Sequence, residues 1–116
     1  MDREQLEKMT ADYQALQEQL QALAIQKAQF NEQKEEFNEA SAEIEKSTGK
    51  IYSSIGGVMV ETGKDVAAKS LKEKIESVEM RLSIINKQYD EAVKKEKSLR
   101  EEIEKELKSA NAPKSA

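Results

Sequence analysis

Residues 51–61 read Ile51-Tyr52-Ser53-Ser54-Ile55-Gly56-Gly57-Val58-Met59-Val60-Glu61, a short apolar run centred on two glycines between two long heptad-patterned segments. Ile51, Tyr52, Ile55, Val58 and Val60 favour strands, and Gly56-Gly57 suits a two-residue turn with positive backbone dihedrals. If Ile55 pairs with Val58, then Ser53 meets Val60. One face of the hairpin carries Ile51, Ile55, Val58 and Val60, and the other carries Tyr52, Ser54, Met59 and Glu61. A free two-stranded hairpin is marginal in water, and both its edges expose unpaired backbone groups. Neighbouring subunits are therefore expected to supply the missing strands. On this reading the oligomerisation residues are Ile51, Tyr52, Ile55, Gly56, Gly57, Val58, Met59 and Val60. The alternative is a glycine-rich loop that merely joins two helices. A phosphate cradle at Gly56-Gly57 lacks both the glycine fingerprint and a following Lys-Ser/Thr.

Moving outward, both flanks carry a coiled-coil stripe. In the amino-terminal half Leu6, Tyr13, Leu20, Lys27, Lys34 and Ser41 fall at heptad position a, and Met9, Leu16, Leu23, Phe30, Phe37 and Ile44 at d. In the carboxyl half Ala68, Ile75, Leu82, Tyr89, Glu96 and Ile103 fall at a, and Leu71, Val78, Ile85, Ala92, Leu99 and Glu106 at d. These are two-in-seven seams rather than the broader face of a globular helix. An antiparallel pair sets a opposite d, so paired residue numbers share one sum. Ile44 with Ala68, Phe37 with Ile75, Phe30 with Leu82, Leu23 with Tyr89, Tyr13 with Leu99 and Met9 with Ile103 all sum to 112, and half of that is Gly56. The seam and the bend, read from different residues, agree. Lys27, Lys34 and Glu96 make weaker layers, in which a stem lies on an apolar partner and the charge points outward.

The expected fold is mainly α: an antiparallel two-helix coiled coil with a single β-hairpin at the bend. Residues 1–116 form one unit, with a first helix over 1–48, the hairpin over 50–62, a second helix over 64–109 and a frayed tail over 110–116. Gly49 is expected to close the first helix in a left-handed conformation. Thr62-Gly63-Lys64-Asp65 has the form of a capping box that opens the second. Glu4 with Lys8, Asp90 with Lys94, Glu91 with Lys95 and Glu101 with Lys105 are spaced to pair on exposed helix faces, each adding ~0.2–0.5 kcal/mol.

Composition excludes several functions. With 36% charged and 4% aromatic residues in 116, there is little material for a globular core, yet the regular apolar steps argue against disorder. The 19 basic and 23 acidic residues are interspersed, which leaves no basic stripe for nucleic acid. No apolar run approaches a membrane span, and the first residues, MDREQLEKM, lack a signal-peptide core. The chain reads as cytoplasmic. It contains neither Cys nor His, so the usual metal ligands and the commonest general base are missing, and no catalytic residue, metal or cofactor is expected. The carboxylates read as solvated coil charges rather than an acid–base pair. The remaining rival is a structural coiled-coil tether or scaffold that dimerises and binds specific partners without promiscuity.

The run from Ile51 to Leu82, IYSSIGGVMVETGKDVAAKSLKEKIESVEMRL, resembles the prefoldin β-type subunit family in its hydrophobic-Tyr strand, Gly turn, second apolar strand, Thr/Lys-rich cap and helix with L-K-E-K-I-E. The Gln-rich first helix is similar too. Gly57 departs from the family, which often has Pro or Thr there, without contradicting the strand pairing. The resemblance implies an ATP-independent co-chaperone: a heterohexamer of two α-type and four β-type subunits whose hairpins join into a β-barrel platform. Its coil tips hold non-native client polypeptides and pass them to a group II chaperonin. By position, the client-binding tip falls on Leu6, Met9, Tyr13 and Leu16 with Leu99, Ile103 and Leu107. Coil ends fray, and flexible Met9 and amphipathic Tyr13 suit promiscuous contacts. The competing reading is that these residues simply close the seam. The family also implies a chaperonin contact in Glu101 to Lys108, whose charges otherwise read as a solvated helix face.

Overall fold

The computed structural model describes residues 2–111. In chain order it contains α1 (Arg3–Lys46), β1 (Ile51–Ile55), β2 (Val58–Thr62) and α2 (Lys64–Asn111). The chain divides into two compact units, one from Lys27 to Ile84 and the other made of the described residues on either side.

The first unit contains the hairpin. β1 and β2 pair antiparallel with Ile55 opposite Val58, Ser54 opposite Met59, Ser53 opposite Val60, Tyr52 opposite Glu61 and Ile51 opposite Thr62, the register expected from the sequence. Gly56 and Gly57 have φ of 57° and 82°, the double positive that a tight primed turn demands and that a side chain resists. Gly57 is therefore a requirement of this turn, since proline cannot adopt that φ. Within the same unit, Phe30, Lys34, Phe37, Ser41 and Ile44 of α1 are half-buried, while Val78 and Leu82 of α2 are buried. Lys34 sends its ammonium out of the seam to Glu79, 3.6 Å away. Lys74 and Arg81 lie over the Phe37 and Phe30 rings at 5.9 Å from each centroid, contacts worth ~0.5–1 kcal/mol each at exposed sites. Each of these cross-helix pairs has residue numbers adding to within one of the constant that the heptads require.

One seam position moves. Ala67, not Ala68, is half-buried at the start of α2, so the spacing 67, 71, 75, 78 opens with two four-residue steps. A straight helix has 3.6 residues per turn, and before the supercoil is established the stripe drifts off the strict 3.5 repeat.

The helix ends also differ from expectation. Gly49 has no positive φ, and α1 ends at Lys46 with a tight bond from the Ser47 amide to the Ile44 carbonyl. Thr62 is the last paired residue of β2. The first helical bond of α2 runs from the Ala67 amide to the Gly63 carbonyl, which makes Gly63 the cap and leaves the expected capping box unformed. A capping box does form at the other helix. The Gln5 amide donates to Asp2 Oδ1 at 2.8 Å, and the Asp2 amide donates to Gln5 Oε1 at 3.3 Å.

The second unit buries Leu23, Ile85 and Ala92. Its seam is completed by half-buried Leu6, Met9, Tyr13, Leu16, Leu20, Tyr89, Glu96, Leu99 and Ile103. Among the described residues, the same-helix ion pairs are Arg3–Glu7 and Glu96–Arg100. The four expected pairs do not close. Exposed side chains gain too little from such contacts to be held in one rotamer. α2 runs two residues past its expected end, to Asn111, and the tail expected to fray from 110 otherwise lies outside the described residues.

Candidate functional site

Two surfaces carry the residues singled out in the sequence. On the hairpin, the face of Ile51, Ser53 and Thr62 turns inward and is half-buried, over a cleft of about 460 Å³ lined also by Ile44, Val66 and Leu71. Ile55, Val58 and Val60 belong to that same alternating face but lie nearer the turn, where the residues are 63%, 61% and 44% exposed. Tyr52 and Met59 on the other face are exposed as well, Met59 by 64%. Tyr52 pairs with Glu61 and Ser54 with Met59, so this second face is amphipathic. Both strands are edges of a two-stranded sheet, each with one row of backbone groups facing away from its partner. Apolar side chains and open edges coincide on one small element.

In the second unit the candidate tip residues behave differently. Leu6, Met9, Tyr13, Leu16, Leu99 and Ile103 are all half-buried in the seam, and Leu107 alone of the seven is exposed, by 45%. Glu106, its neighbour, occupies the half-buried position instead. Leu16 and Leu99 line a groove of about 570 Å³ beside the seam, with Asp12, Lys94 and Glu102 on its rim. Sequence reading treated Glu96 as a weak layer opposite Leu16. The structure gives it a partner one turn away: the Tyr13 hydroxyl donates to Glu96 Oε1 at 2.9 Å, and Arg100 approaches the same oxygen at 3.8 Å. The Tyr13 pKa is raised above the ordinary 10.0, first because the hydrogen bond to Glu96 requires the phenolic proton, then through desolvation and the Glu96 charge. Arg100 opposes the rise. Tyr13 is thus engaged in a polar layer of the seam, with a partner one turn from the Leu99 that its heptad position sets opposite it.

No helix of the described residues is long and apolar enough to cross a membrane, and no cluster of three or more carboxylates among them is arranged to hold a metal ion. A sequence model of the prefoldin subunit family matches residues 7–110, both heptad segments and the hairpin between them. The chain belongs to the prefoldin subunit family. The crystal structure of the prefoldin beta subunit from Thermococcus strain KS-1 is similar to this prefoldin subunit over 94% of each chain, with a TM-score of 0.82 and 33% sequence identity. No curated protein matches it in sequence. Family and fold together make it a prefoldin-type chaperone subunit with two long helices and one hairpin, the β-type arrangement expected from Ile51 to Leu82.

Proposed function

We propose that this prefoldin subunit is one of four β-type chains that join two α-type chains in an ATP-independent hexameric co-chaperone. Its hairpin contributes to a shared β-barrel platform, and the distal coil holds non-native polypeptides, prevents their aggregation and delivers them to a group II chaperonin in the cytoplasm. The observation that carries this reading is the hairpin, with Ile55, Val58, Met59 and Val60 between 44% and 64% exposed beside open strand edges. An element of this kind is unstable alone and aggregation-prone unless other strands cover it. Membership in a family of chaperone subunits supports the remainder, and the distal groove beside Leu16 and Leu99 supplies an apolar floor with a charged rim.

Light scattering on the chain alone and mixed with a prefoldin α-type subunit tests the proposal, with a Val58→Asp, Val60→Asp double variant for comparison. The expected result is a mixed hexamer for the wild type and none for the variant. A dimer indifferent to both the partner and the substitutions would leave a coiled-coil tether instead.

A further inference from the structure

The hairpin is attached to its two helices unequally. A single residue, Gly63, separates Thr62 of β2 from Lys64 of α2, whereas residues 47–50 separate Lys46 of α1 from Ile51 of β1. The hairpin must therefore follow the start of α2 closely, while the longer connection leaves its placement against the end of α1 free to vary. Among the described residues, one side chain bridges that gap by hydrogen bonds. Lys64 Nζ donates to the Glu45 carbonyl at 2.9 Å and to the Ser47 carbonyl at 3.3 Å.

The chemistry of the bridge is favourable on both sides. The last carbonyls of a helix have no partner within it, and together they form the negative end of the helix dipole. Since α1 has no left-handed glycine cap, these carbonyls depend on outside donors. An ammonium offers three donors and a full charge, so one group can take two carbonyls and complement the dipole at once. The stem of Lys64 leaves α2 at its first residue, where a cation is otherwise poorly placed against the positive end of its own helix. Reaching to the end of α1 moves the charge from an unfavourable helix end to a favourable one.

We infer that Lys64 is a positioning residue for assembly: by clamping the end of α1 to the start of α2 it fixes the angle at which the hairpin leaves the coil. This rests on the hairpin being the assembly element. A hairpin free to swing would present its edges in many orientations and pay an ordering cost on every pairing. Several chains contribute to one platform, so the same defect recurs in each copy.

The absence of cysteine from the chain makes a direct test available. Ser54→Cys on the hairpin and Ala42→Cys on α1, both exposed and both in the first unit, accept a pair of spin labels whose distance distribution reports the hairpin angle. Lys64→Met retains the stem and removes the charge and the donors; Lys64→Arg retains a cation. The expected result is a distribution that broadens in Lys64→Met with unchanged helix content by circular dichroism, and that stays narrow in Lys64→Arg. Mixed assembly with an α-type subunit should weaken by about fivefold per participating chain, the upper end of what a cation at an exposed helix C-terminus contributes. An unchanged distribution overturns the clamp, and a broadened one with full-strength assembly overturns its role in assembly. If the wild-type chain itself fails to assemble, the assembly reading is at fault, while the label distances still decide whether Lys64 holds the hairpin.

Discussion

The hairpin and the distal seam both carry apolar residues in regular patterns, yet the folded chain treats them in opposite ways. Leu6, Met9, Tyr13, Leu16, Leu99 and Ile103 are half-buried against the facing helix, whereas Ile55, Val58, Met59 and Val60 are exposed. The difference follows from how each element satisfies its backbone. A helix closes its own hydrogen bonds and needs a partner only for one stripe of side chains, which the second helix provides. A two-stranded sheet leaves an outer row of backbone groups on each strand and has two faces to cover, and one chain cannot supply both. The coil is locally complete. The hairpin is incomplete and must bind to be complete.

That contrast is tested most strongly by truncating one residue of each kind. Leu82 is buried, so Leu82→Ala should cost about 2–5 kcal/mol, and the chain's urea midpoint should fall sharply. Val58→Ala removes similar apolar character from an exposed position. It should change the stability of the isolated chain by less than about 0.5 kcal/mol while weakening mixed assembly. Equal losses of stability in the two variants would mean that the hairpin is already covered within the chain.

A smaller effect is expected at Glu96, where a carboxylate interrupts the distal seam. Glu96→Leu exchanges the Tyr13 hydrogen bond for apolar contact with the facing helix, and half-exposed Tyr13 retains access to water. The variant should gain about 1 kcal/mol, read as a higher denaturant midpoint. If client holding requires this end to open, suppression of aggregation should decline as stability rises. Leu107 separates the remaining question. Leu107→Ser alters an exposed side chain, so stability should stay within about 0.5 kcal/mol, and any loss of aggregation suppression then reports client contact rather than a weakened coil. Substitution at Met9, Tyr13 or Ile103 confounds the two, because each closes the seam.

The parts of this structure that were legible in the sequence are those encoded by local periodicity. The heptad columns, the bend at Gly56 and the pairing of Ile55 with Val58 each depend on residue spacing alone, and each is present apart from the shift from Ala68 to Ala67. The parts that were not legible depend on neighbours distant in sequence. Lys64 reads locally as a residue in the first turn of α2, and nothing nearby indicates that its ammonium reaches carbonyls 17 and 19 positions earlier. Thr62 has the spacing of a cap, but the first helical bond of α2 is accepted one residue later, by the Gly63 carbonyl. Tyr13 was matched with Leu99 by position, and its long side chain instead reaches the carboxylate of Glu96. Asp2 and Gln5 did offer a local signal, a D-x-x-Q spacing before an apolar stripe, which was readable as the start of α1.

The smallest predicted effect is the most specific to the distal seam. Tyr13 donates to Glu96, so its neutral form is favoured in the folded chain and its pKa lies above the unfolded phenol's ordinary 10.0. A raised folded pKa means that the contribution is fully present below the unfolded value and is lost as pH rises through the folded one. Thermal melts between about pH 9 and about pH 12 should therefore show a decline in the wild type that includes this loss. Tyr13→Phe lacks the phenolic proton and should follow a shallower decline, starting from a slightly lower stability near neutral pH. The readout is the difference between the two curves rather than either slope. Parallel curves would show that the hydrogen bond to Glu96 contributes nothing to holding the distal seam closed. Convergence at high pH would locate part of the seam's stability in one polar layer.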